Sequence, residues 1–101
     1  MFEVSTWKNS NNINVNAYYA IRIKKRDYFA LENWQTIRVG ENHIERNNRP
    51  FTEQCPEIRS IIIRDFLFEN NLQHWPLRQP HTLFLFEYEE NQFELLLENP
   101  Q

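Results

Sequence analysis

The sequence predicts an α+β fold: an antiparallel, strongly curled sheet of five to six strands around one central helix at about 56–70, with a short second helix at about 27–34. Three observations lead there. Residues 13–23 alternate apolar and polar side chains with period two, the mark of a half-buried strand. Residues 55–75 hold a long apolar run with a helix start and stop at its ends. Residues 82–98 read as two apolar strands about a polar turn.

Taken in order, Phe2 and Val4 alternate with polar neighbours and predict a short first strand. Trp7 leads into the polar, turn-rich run 8–12. In the second strand Ile13, Val15, Ala17, Tyr19, Ile21 and Ile23 line one face, and the other face carries Tyr18 and Arg22. Asp27 is placed to cap a helix through Tyr28, Leu31 and Trp34, near two turns long and therefore stable only when docked. Residues 36–39 and 43–45 read as strands about a turn at Gly40, Glu41 and Asn42. A polar loop, 47–54, is interrupted by Pro50 and Phe51.

In the central stretch Pro56 suits a first helical position, because its missing N–H has no partner there anyway. Glu57 follows, where the helix dipole favours a negative charge. Ile58, Ile62, Ile63, Phe66 and Leu67 form one apolar flank, and Ile61, Phe68 and Leu72 a second, so the helix should be covered on most sides. Asn70 and Asn71 supply a left-handed stop, Leu72 folds back, and Pro76 bars a restart. The β-branched and aromatic content of 60–68 also fits a strand, and helix is the preferred reading. After a connector, 77–81, the chain closes with a hairpin of strands 82–88 and 93–98.

With 101 residues, 41% hydrophobic and 15% aromatic, residues 1–101 suffice for one small domain with one core. No apolar run reaches the ~20 residues of a membrane span, and the first residues do not resemble a signal peptide. A lone cysteine forms no internal disulfide, so a cytoplasmic setting is expected. One glycine stands against thirteen asparagines. Either asparagine takes over glycine's turn positions, or the bias reflects the coding sequence.

Chemistry-bearing motifs are sparse. Cys55 at a helix start has the setting of an activated thiol, but no enzyme signature surrounds it; a small buried side chain is the plainer reading. His43, His74 and His81 lack metal-ligand spacing, and no metal or cofactor is expected. His74 beside Trp75 reads as a polar cap on an aromatic cluster. Asp65 and Glu69 on the central helix call for partners such as Arg22 or Arg59. A single glycine excludes phosphate-cradling glycine loops, and an enzyme is not expected.

Charge is distributed unevenly. Residues 22–64 carry a net +3, residues 65–101 a net −6, and the chain as a whole −3. Two stretches, 20–29 and 55–60, concentrate specific polar residues; Arg22, Arg26, Asp27, Glu57 and Arg59 stand out as charges set beside large apolar groups. Tyr18, Arg22, Lys24, Lys25, Arg26 and Tyr28, with Arg59, form a candidate binding cluster suited to a phosphate backbone with bases stacked on the tyrosines. The acidic pI of about 5.6 weighs against nucleic acid. Leu95, Leu96 and Leu97 place apolar groups on both hairpin faces, and the acidic hairpin complements the basic segment. The expectation is therefore a small binding module for protein–protein contact or self-association, with a nucleic-acid-associated domain as the alternative.

Overall fold

The computed structural model describes residues 1–9 and 18–100. Seven strands form a single sheet: β1 (Phe2–Lys8), β2 (Tyr19–Ile23), β3 (Thr36–Val39), β4 (Asn42–Glu45), β5 (Glu57–Arg59), β6 (Thr82–Glu89) and β7 (Gln92–Leu96). A 3₁₀ turn at Lys25–Asp27 runs into α1 (Tyr28–Leu31), and α2 (Ile61–Glu69) follows β5. The sheet order is β4-β3-β7-β6-β1-β2-β5.

The period-two pattern decides which side chains enter the core. Register sets Val4 opposite Ile23, Thr6 opposite Ile21, and Ile21 opposite Ile58. Across the sheet, Leu85 pairs with Leu95, and Ile37 with both Phe93 and Ile44. These residues are all buried on one face, and Ile63 and Leu67 of α2 pack into it, each 0% exposed. α2 contacts β2 near one end of the sheet and β3 and β4 at the other. One short helix reaches both ends only because the sheet curls around it, as a half-barrel.

Arg49, in the loop between β4 and β5, ties the curl together. Its Nε donates to the Glu45 carbonyl (3.1 Å), and its Nη1 to the Arg59 carbonyl (2.8 Å). Those are the last residues of the two edge strands, so one guanidinium spans the seam between them. It also occupies an edge carbonyl that would otherwise invite a further strand.

Several sequence expectations need correction. The sheet is mixed, because β3 runs parallel to β7 while every other pair is antiparallel. It has seven strands, the unforeseen one being β5. The central helix therefore begins at Ile61, not near 56: Ile58 alternates with Glu57 and Arg59 in strand geometry, and the Pro56 carbonyl accepts from Ile23 N (2.8 Å). Ser60 is the actual N-cap, its hydroxyl accepting from Ile62 N at 3.1 Å. Nor is α2 covered on most sides; Ile61 is 66% exposed and only Ile63 and Leu67 are fully buried. The helix lies on the sheet rather than within a shell.

The short second helix spans the 3₁₀ turn and α1 instead of 27–34, and Asp27 makes no side-chain capping bond. The expected strand at 13–23 is present as Tyr19–Ile23; its earlier part lies outside the described residues. The first strand is longer than foreseen and includes Trp7. The helix stop and the C-terminal hairpin agree with expectation. Asn71 is left-handed (φ 57°), and Leu72 N donates back to the Leu67 carbonyl at 2.8 Å. Asparagine holds further positive-φ positions at Asn47 and Asn91, the second in the hairpin turn.

Candidate functional site

Among the described residues, no layer covers the face of the sheet opposite α2. Glu3, Ser5 and Trp7 of β1, Arg22 of β2, Phe84 and Phe86 of β6, Leu96 of β7 and Arg38 of β3 point outward and are all at least partly exposed. Two outward residues are buried, Ala20 (0% exposed) and Glu57 (5%). Glu57 is the anomaly: a carboxylate this buried needs partners.

It has two. Arg22 Nη2 donates to Glu57 Oε2 at 2.8 Å, and Arg59 donates to Oε1 from Nη2 (2.7 Å) and Nε (2.9 Å). Register makes this arrangement, since Arg22 pairs directly with Glu57 across β2 and β5. Both guanidiniums then lie over the Trp7 ring, at 5.4 Å for Arg22 and 5.3 Å for Arg59. Arg59 also lies over the Tyr18 ring at 5.5 Å, and Tyr18 is 55% exposed. A buried carboxylate thus holds two arginines over Trp7, and one of them over Tyr18 as well, within the range of cation–π attraction. Burial works to raise the Glu57 carboxyl, and the hydrogen bonds from Arg22 and Arg59 outweigh it, holding it below its ordinary value. Glu57 in turn raises Arg59.

Tyr18, Arg22 and Arg59 of the candidate cluster therefore meet at one place. The remaining members are elsewhere. Lys24 pairs with Glu3 at 2.8 Å. Lys25 and Arg26 are exposed on the 3₁₀ turn. Tyr28 is half-buried and stacks on Phe51, 5.3 Å between centroids. Trp7 was not singled out by sequence, although an aromatic in line with Glu3 and Ser5 on a polar strand face is a readable signal.

Around the β5 edge a cleft of about 230 Å³ opens in the seam, lined by Trp34, Arg49, Pro50, Thr52, Cys55, Glu57, Ile58 and Arg59. Trp34 is 1% exposed, and its indole N–H has no hydrogen-bond partner among the described residues. Cys55 is exposed and precedes β5, so it is neither buried nor at a helix start. Its thiol is pushed up, first by desolvation and then by the charge of Glu57. That is the reverse of what an activated nucleophile requires.

Two further expectations change. Asp65 and Glu69 are exposed on α2, and Arg22 and Arg59 are committed to Glu57. His81, rather than His74, caps the aromatic group: its ring stands edge-on to Trp75 at 5.6 Å and its Nε2 meets the His74 carbonyl at 3.0 Å. Among the described residues no group of three or more His, Cys, Asp or Glu is placed to hold a metal ion, and no helix is long and apolar enough to cross a membrane. No family model, curated protein or solved structure matches the chain.

Proposed function

We propose that this chain is a protein-interaction module that self-associates through the outer face of its sheet. The observation that carries the reading is the uncovered strip of Phe84, Phe86 and Leu96. Phe84 stands directly opposite Leu96, and Phe86, 37% exposed, lies beside them. Outward aromatics on an unlayered sheet lose water contact only when another surface covers them. The same face ends in Trp7, Tyr18, Arg22 and Arg59, the residue types that dominate protein interfaces.

Charge favours a second copy as the partner. The arginine end lies on β2 and β5, whereas Glu89 and Glu90 lie at the tip of the β6–β7 hairpin. Two arginines against Glu57 leave the first end one net positive, which complements the acidic hairpin tip of a second copy. The strand edges are poorer docking sites. β5 has three residues and β4 four, and Arg49 already bonds both.

Size-exclusion chromatography with light scattering tests the reading. The expected mass is twice the 12.5 kDa chain, falling to one chain in Phe86→Glu with an unchanged thermal melt. A wild-type monomer at every concentration would contradict it.

Binding of single-stranded nucleic acid is the second reading, favoured by Arg59 lying against two ring faces. Neutralisation weakens it: Glu57 serves both arginines and Glu3 takes Lys24, which leaves few cations for phosphates. Comigration with a nucleic-acid pool at low salt, lost in Arg22→Ala plus Arg59→Ala, would support this second reading.

A further inference from the structure

The seam cleft stands apart from the outer-face strip, and its chemistry is one-sided. Arg49 and Arg59 enter its wall as cations, Trp34 brings an indole N–H, and Thr52 brings a hydroxyl. Arg49 reaches its two carbonyl acceptors through Nε and Nη1, and Arg59 reaches Glu57 through Nε and Nη2. Each guanidinium carries a further terminal nitrogen beyond those bonds. The one carboxylate in the wall, Glu57, already accepts from both Arg22 and Arg59. Trp34 is the second, independent sign of a ligand. Its buried indole N–H forfeits a hydrogen bond among the described residues, and Trp34 is one of the residues lining the cleft.

We infer that this cleft binds a small organic carboxylate. The oxyanion meets the Arg49 and Arg59 donors, where planar forks match a carboxylate. Trp34, Pro50 and Ile58 supply apolar wall for the carbon body. At about 230 Å³ the space is smaller than a typical drug-sized pocket, so the ligand is a short acid. The lining residues sum to one net positive charge, two arginines against Glu57, which suits a monoanion. Arg59 and Glu57 border both the cleft and the outer face, but the assignment does not require self-association through Phe84, Phe86 and Leu96, and either can fail alone.

The test titrates the full chain with benzoate and propionate, using chloride at matched ionic strength and inorganic phosphate as controls. The tryptophan indole N–H resonances are followed by NMR, with Trp34→Phe assigning the relevant one. Trp34 should shift with saturation, and Trp75 should not. In parallel, alkylation of Cys55, the sole thiol, by neutral iodoacetamide should slow as the cleft fills. Arg49→Gln should weaken the apparent affinity by at least about tenfold, the loss of one charge-assisted hydrogen bond. If that variant unfolds, the wild-type alkylation rate still decides. A Trp34 shift that chloride reproduces, a response to phosphate alone, or alkylation indifferent to carboxylate would overturn the assignment.

Discussion

At the Glu57 carboxyl, burial favours the neutral acid while three hydrogen bonds from two arginines favour the anion, and the arginines prevail. The folded-state value therefore lies below the unfolded one, near ~4.3 for an ordinary glutamate. The resulting stability is fully present above the unfolded value and is lost as pH falls through the folded value. Thermal melts across this window should show wild type losing stability more steeply than Glu57→Gln. At neutral pH the variant should be less stable by about 1–3 kcal/mol, since both arginines keep water on one side. Superimposable pH profiles would mean that Glu57 is not the anchor. Arg22, Glu57 and Arg59 were each legible in the sequence as charges among apolar neighbours. Their convergence was not, because it rests on strand register between residues 35 apart.

The central stretch shows how a correct signal can be placed wrongly. Pro56 marks a helix start, but it equally suits an extended residue whose carbonyl joins a strand edge. A three-residue strand is too short to reveal its period, so β5 was absorbed into the helix pattern. Ser60, a better N-cap, was the residue that separated them. Ser60→Ala should cost about 1 kcal/mol in urea denaturation. Because α2 only lies on the sheet, its faces should respond very differently. Leu67→Ala should cost about 2–5 kcal/mol, whereas Ile61→Asp should stay within about 0.5 kcal/mol. A severe loss at Ile61 would restore the enclosed helix that the sequence pattern suggested.

At the scale of the molecule, local pairings were readable and distant ones were not. The β6–β7 and β3–β4 hairpins follow from alternation about short turns. The parallel join of β3 to β7 brings together segments separated by β4, β5, α2 and β6, a long-range pairing that no local pattern announces. That join completes a curled sheet with one face filled and the other left open among the described residues. The open face is the basis of the proposed self-association. Mixing isotope-labelled with unlabelled chain and recording only contacts between copies tests it most directly. The account predicts intermolecular contacts from the Phe84 and Phe86 rings to Leu96 methyl groups, with further ones at Trp7. Intermolecular contacts confined to the β4 or β5 edges, or none at any concentration, would contradict it.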